Sequence, residues 1–322
     1  MSALDAHPST YSFSTAAWLG RFRAWQVALI VFAVSAVFAL AVLPVAFILR
    51  SSLAIQQRGF DPSRFDPNVV GLGEQAFLFL TLLPFPLALL TLCVLVRALH
   101  KRRARTLATA PGRRLRWGRA LAGGSVWLGL ILISELLYYW LRPHVIEFVF
   151  DPSRFWPTAV VLLLLLPLQI AFEELALRGY LHQVVCRLFG KPWIAVLFTS
   201  VLFGALHLSN PEVARYGWTT MAVYYVGVGL FLALVATLDD GLELTLGIHL
   251  ATNLAATLFV NSAHSALPTA SVFRALEFDA KVALSLFALQ ALLFCAAFAK
   301  TGGWHRARLL QALPEASHHD PS

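Results

Sequence analysis

WPTAVVLLLLLPLQIAFEELALRGYLHQVVCRLFGKP, residues 156–192, decides the fold. It opens on an apolar run and carries Glu173, Glu174 and Arg178 where that run ends. It continues as an amphipathic stretch over 179–189 and stops at Gly190-Lys191-Pro192. A helix needs about 20 apolar residues to cross the hydrocarbon core of a bilayer, and 157–178 supplies them. The rest of the chain has the same character. Of 322 residues, 58% are hydrophobic and 13% charged, with a mean hydropathy of +0.70. A soluble domain carries roughly 25% charged residues, so the polar skin of a water-exposed fold is missing and lipid must cover the molecule.

Working outward, eight runs qualify as candidate spans: 25–49, 75–97, 120–141, 157–178, 192–208, 218–238, 242–260 and 281–299. Trp25, Trp117, Trp140, Trp156, Trp193 and Trp218 stand at or near their ends, where interfacial aromatic belts lie. The expected fold is an all-α polytopic membrane protein of about eight transmembrane helices in one bundle. Arg21 and Arg23 ahead of 25–49 resemble a signal anchor, since the run is too long for a cleavable h-region.

The net charge of +8 could suggest nucleic acid, but its placement argues against that partner. Arg97, Lys101, Arg102, Arg103, Arg105, Arg113, Arg114, Arg116 and Arg119 lie between two apolar runs, as a cytoplasmic loop under the positive-inside rule does. Alternation from that loop puts both termini in the cytoplasm. The location expected is a bacterial inner membrane, and the expected partners are lipid and a membrane-associated protein or peptide. Cys93, Cys186 and Cys295 form neither a CxxC nor an even-numbered framework, and read as buried small hydrophobes.

One hexapeptide repeats: Phe60-Asp-Pro-Ser-Arg-Phe65 returns as Phe150-Asp-Pro-Ser-Arg-Phe155. It reads as a re-used membrane-entry turn, because Asp-Pro breaks helices and Arg and Phe suit the interface. The repeat also suggests that spans 1–2 and 3–4 are a parallel duplication.

Ionisable residues at membrane depth cost on the order of 2.5–3.5 kcal/mol on insertion scales and are functional candidates by default. Here they gather on three spans. Glu174 and Arg178 are i, i+4 with the acid first, the favourable order for a pair, which leaves Glu173 to face the bundle interior. Phe203-Gly-Ala-Leu-His207 lies on the fifth span, and His249-Leu-Ala-Thr-Asn253 on the seventh. Glu173 lies 17 residues before Gly190 and His207 lies 17 after it. If the fourth span runs on to Gly190, both stand about 25 Å from the turn of one antiparallel hairpin. His249 reaches that level only if the turn before it sits deeper in the membrane.

Three ordered motifs, EExxxR at 173–178, FxxxH at 203–207 and HxxxN at 249–253, resemble the CAAX-protease and bacteriocin-processing family of intramembrane proteases, with its type II CAAX prenyl endopeptidases. The likeness covers residues 150–265. It divides the chain into a cytoplasmic segment 1–24, helices 25–149, catalytic helices 150–265, a last span within 266–299 and a cytoplasmic tail 300–322. It implies an endopeptidase in which Glu173 activates water held by His207, and His249 and Asn253 stabilise the oxyanion. Glu174, Arg178 and Phe203 support them.

Glutamate-activated water is favoured over zinc; Glu173, His207 and His249 are the alternative zinc ligands, but an HExxH helix is absent. Two other readings remain. One is a proton-coupled transporter, with Glu135 extending a relay. The other is a non-catalytic scaffold or immunity-type protein.

Overall fold

The computed structural model describes residues 11–51, 73–262, 265–277, 279–301 and 303–313. The polypeptide is an all-α membrane protein. Among the described residues, six helices are long and apolar enough to cross a bilayer, within Ala24–Phe47, Glu74–Leu99, Trp117–Leu141, Pro152–Phe189, Trp218–Asp239 and Lys281–Thr301. The other two expected spans are shorter helices. In chain order the elements are α1 (Ala24–Ser51), α2 (Glu74–Leu82), α3 (Pro84–Leu99), α4 (Trp117–Leu141), α5 (Pro152–Glu173), a π-helical segment (Glu174–Leu181), α6 (His182–Phe189) and α7 (Pro192–His207). Then follow α8 (Pro211–Tyr216), α9 (Trp218–Asp239), α10 (Glu243–Leu254), a π-helical turn (Ala255–Phe259), α11 (Ala280–Thr301) and α12 (Ala307–Leu310).

Prolines set several boundaries. Pro84 opens α3 and Pro192 opens α7, where a missing N–H costs nothing because the first turn leaves its donors unpaired anyway. The second hexapeptide copy starts a helix. Asp151 is the N-cap of α5, accepting from the Ser153 amide at 2.9 Å and the Ser153 hydroxyl at 2.6 Å, with Pro152 behind it. Asp-Pro-Ser therefore acts here as a helix initiator. The first copy lies outside the described residues.

The expected hairpin is present. α5, its π segment and α6 run as one helical rod of 38 residues, Pro152–Phe189. Gly190 closes the rod in the left-handed region at φ +66°, and α7 returns from Pro192. A left-handed C-cap favours glycine because a side chain there meets the preceding carbonyl.

Small residues bring the site-bearing helices close. A methyl added at Gly247 on α10 would stand 2.1 Å from the Ala120 carbonyl oxygen of α4. One added at Gly229 on α9 would stand 2.8 Å from the Ser200 carbonyl oxygen of α7. Where lipid and side chains are equally apolar, close backbone approach of this kind is what holds helices together. A buried cluster of Trp127, Phe231, Leu232, Leu244, Ile248 and Phe294 fills the space between α4, α9, α10 and α11.

One end of the bundle is knitted by polar contacts. The Phe13 amide donates to Asp240 at 2.7 Å, Arg21 N–H to the His100 carbonyl at 3.0 Å, and Arg187 to the Ala17 carbonyl at 2.6 Å. The Leu313 amide donates to the Gly190 carbonyl at 2.8 Å, and Trp304 to Asp239 at 3.0 Å. The N-terminal segment, the basic loop, the hairpin turn and the tail thus meet at the same end.

Part of the basic cluster is paired with acids of α9 and α10, while Arg97, Lys101, Arg103, Arg105 and Arg114 are exposed. Arg116 bridges Asp239 at 2.9 Å and Glu243 at 2.7 Å, Arg119 pairs with Asp239, and Arg113 lies 3.1 Å from Asp240. Arg102 is buried against Gln183 and Thr106, and burial pulls its guanidinium down to about 10. At the other end lies a three-stranded sheet, β1 (Ile146–Phe148), β2 (Val260–Ser262) and β3 (Phe273–Ala275), in the order β1-β3-β2. β3 is antiparallel to β1 and parallel to β2. Glu74 there accepts from Arg154 and from the Ala270 amide, each at 2.9 Å.

Candidate active site

Where α5 gives way to the π segment, Glu173 and Glu174 leave the rod in different directions. Glu174 and Arg178 are completely buried, and Nη1 of Arg178 donates to Oε1 of Glu174 at 3.0 Å. The expected i, i+4 pair is present, although the turn carrying it is π rather than α. π segments are rare and gather at functional sites. The Phe203 ring lies under the Arg178 guanidinium, 4.2 Å from its Cζ, so the buried cation has a carboxylate on one side and an aromatic face on another.

His249 meets the same carboxylate. Its Nδ1 lies 2.9 Å from Oε1 of Glu174. A carboxylate that already accepts from Arg178 has only acceptors to offer, so Nδ1 carries the hydrogen and donates. The other ring nitrogen, Nε2, is turned toward Glu173, 3.7 Å from its Oε2. The turn before α10 therefore does bring His249 level with both glutamates. Gly247, two residues earlier, lets α10 approach closely enough to do so.

His207 ends α7. Its Nδ1 donates to the Phe203 carbonyl at 2.8 Å, which again leaves Nε2 as the free nitrogen. Its ring lies 4.2 Å from that of Phe203 and 5.1 Å from that of Tyr225, and Glu173, His249 and Arg178 are its charged neighbours. Asn253 stands one turn beyond His249 on α10. Its carbonyl accepts from the Thr257 hydroxyl at 2.6 Å, and its side chain takes no hydrogen bond among the described residues.

Two features lay outside the sequence-based expectation. Gln169, one turn before Glu173, donates its Nε2 to Oε1 of Glu173 at 3.0 Å, so Glu173 has a partner in its own helix after all. The signal was available as an amide four residues before an acid within an apolar run. Asn210 donates to the Tyr225 hydroxyl at 3.2 Å beside His207, and nothing in the spacing of those two residues announced it. Among the described residues, no group of three or more His, Cys, Asp or Glu side chains is placed to hold a metal ion. Glu173, His207 and His249 as they stand do not fit the zinc alternative.

Residues 154–255, which hold all of these side chains except Thr257, match the family model "Type II CAAX prenyl endopeptidase Rce1-like". That stretch is similar in sequence to this family. The match lies inside the 150–265 stretch that the three motifs mark out. The uncharacterised protein YyaK of Bacillus subtilis (strain 168) is 30% identical over 178 residues, covering 54% of this chain and 59% of that protein. The chain thus spans somewhat under two thirds of this relative. No solved structure matches. The matched stretch spans α5 to α10, whereas α1 to α4 and α11 flank it.

Proposed function

We propose that this protein is an intramembrane endopeptidase that hydrolyses a peptide bond of a membrane-associated, CAAX-like protein or peptide. The observation that carries the reading is the His249 imidazole set between Glu173 and Glu174 in a domain of Rce1-like sequence. Amide hydrolysis needs a base beside a water and donors beside the oxygen that becomes negative. Glu173 is the base, being less buried than Glu174 and free of the arginine. It removes one proton from the water, and the oxygen attacks the scissile carbonyl carbon. The tetrahedral intermediate then collapses, the C–N bond breaks, and the proton on Glu173 passes to the departing nitrogen, which restores the carboxylate.

His207, its ring fixed by the bond from Nδ1 to the Phe203 carbonyl, stands beside the water. Asn253, with its amide uncommitted, and His249 stand beside the oxyanion. Glu174 fixes the His249 ring through Nδ1, and Arg178 with Phe203 fixes Glu174. The organisation of the chain follows: helices over 25–149 and 266–299 flank a catalytic core at 150–265, in a bacterial inner membrane with both termini cytoplasmic. Water reaches the site through the cytoplasmic half.

The test is cleavage of a labelled peptide library by the purified protein, wild type beside Glu173→Gln. Products from the wild type alone are expected. Equal cleavage by both preparations would remove Glu173 as the base, and equal cleavage by Glu174→Gln as well would remove this reading.

A further inference from the structure

Glu173 is held by a residue that none of the three motifs contains. The Gln169 side chain reaches it from one turn away on α5, and the chemistry of the contact fixes which end of the amide is which. An ionised carboxylate only accepts, so the atom 3.0 Å from Oε1 of Glu173 must be the NH2 group. The amide oxygen then points the other way. That Oε1 is buried and has no hydrogen-bond partner among the described residues. A buried acceptor without a donor costs about 1–3 kcal/mol, and such a group beside a catalytic base calls for an explanation.

We infer that Gln169 is a positioning residue for both the base and its water. Nε2 holds one oxygen of Glu173, and Oε1 accepts the O–H of the attacking water that Glu173 does not take. The inference rests on the proteolytic reading above. A water has two hydrogens, and a base fixes only one of them. If the second is unguided, the lone pair that must meet the carbonyl carbon is free to swing away. With one O–H on Glu173 and the other on Gln169, the remaining lone pair is aimed. During attack the first proton moves to Glu173 and the second stays on the oxygen, so Gln169 gains and loses nothing. No charge develops on it. An amide suits this duty because it offers a donor and an acceptor about 2 Å apart on a rigid plane and does not titrate. Neighbouring small or apolar side chains offer only one of these, or neither.

The experiment compares full-length wild type, Gln169→Met, Gln169→Glu and Glu173→Gln on the same peptide library, each with a melting curve in detergent. Gln169→Met keeps the length and removes both polar atoms. Its kcat should fall about 10- to 100-fold, the range for groups that orient a reacting group from outside, with KM and melting temperature near wild type. In Gln169→Glu the protonated acid supplies the same donor and acceptor, so activity should return at acid pH. It should be lost as pH rises and the two neighbouring carboxylates repel. Wild type lacks that alkaline limb. The limb reports the contact with Glu173 and can be read even if Gln169→Met melts too early to assay, whereas the fall in kcat at unchanged KM reports the hold on the water. Should Glu173→Gln be inactive while Gln169→Met keeps wild-type kcat and Gln169→Glu keeps the wild-type pH profile, the inference about Gln169 is wrong and the protease reading stands. If Glu173→Gln is active, Glu173 is not the base and the inference falls with it.

Discussion

Arg178 Nη1 and His249 Nδ1 converge on the same oxygen, Oε1 of Glu174, at 3.0 and 2.9 Å. A single carboxylate therefore ties the π segment to α10, and two charged neighbours depend on it. Glu174 is more than a brace for its own helix.

The two adjacent glutamates should accordingly fail in different ways. Glu174→Gln strands a fully buried arginine, and breaking one half of a buried pair costs about 3–5 kcal/mol. We expect a lowered melting temperature in detergent together with lost activity, because His249 is released as well. Glu173→Gln keeps an acceptor for Gln169, so its melting curve should stay near wild type while proteolysis stops. A stable, inactive Glu174→Gln beside an unstable, active Glu173→Gln would show the roles to be exchanged.

Phe203 tests the aromatic contribution separately. Phe203→Leu removes the ring under Arg178 and the face beside His207, 4.2 Å away in each case. Cation–π contacts are worth roughly 0.5–2 kcal/mol, so thermal unfolding should come several degrees earlier. A variant that melts with wild type would remove this ring from the account of how Arg178 is held.

Gly247 couples packing to chemistry. Gly247→Val drives a branched side chain into the Ala120 carbonyl, and overpacking of this kind costs about 1–3 kcal/mol. Because His249 is two residues away, activity should fall by more than the loss of folded protein explains. Activity per folded molecule equal to wild type would mean that α10 is not located by this contact.

Chelation addresses the chemistry of the water. Exhaustive dialysis against a metal chelator should leave proteolysis unchanged, since Glu173 is proposed to act on water directly. A loss of activity reversed by stoichiometric zinc would replace that mechanism with a metal-assisted one.

Orientation is accessible through Arg114→Cys, an exposed position in the basic loop. An impermeant thiol reagent should label it only when the cytoplasmic side is open. Labelling from outside intact cells would invert the topology.

What the sequence made legible follows from which forces act locally. Apolar length is a local property, so the helices could be read from runs such as 157–178, and the hairpin turn from Gly190 and Pro192. The pairing of Glu174 with Arg178 also follows from spacing along one helix. The share that His249 takes of Glu174 depends on how deeply α10 enters. That depth is set by Gly247 against Ala120, two residues 127 positions apart whose meeting no periodicity records. The π segment is invisible for a related reason. Its wider turn accompanies Gly179 lying against the Leu107 carbonyl, where a methyl would stand 2.6 Å away, a tertiary constraint rather than a propensity. The small sheet joins 146–148 with 260–262 and 273–275, strands too short and too far apart for alternation to reveal. Asp151 reads in the sequence as a turn ahead of a span, and the bond to Ser153 adds that it caps the helix it precedes.

The polar knot at the end of the bundle has a bearing on how the protein is made. Phe13 finds its partner in Asp240, 227 residues later in the chain. At roughly 5–20 residues per second of synthesis, the N-terminal segment waits about 10–50 s for it. Leu313, which clasps the Gly190 carbonyl, emerges later still. A nascent chain passing through the insertion machinery has therefore placed its glutamates in the membrane well before the helices around them are fastened. The order of synthesis itself thus delays the fastening of this end of the bundle until the tail has arrived.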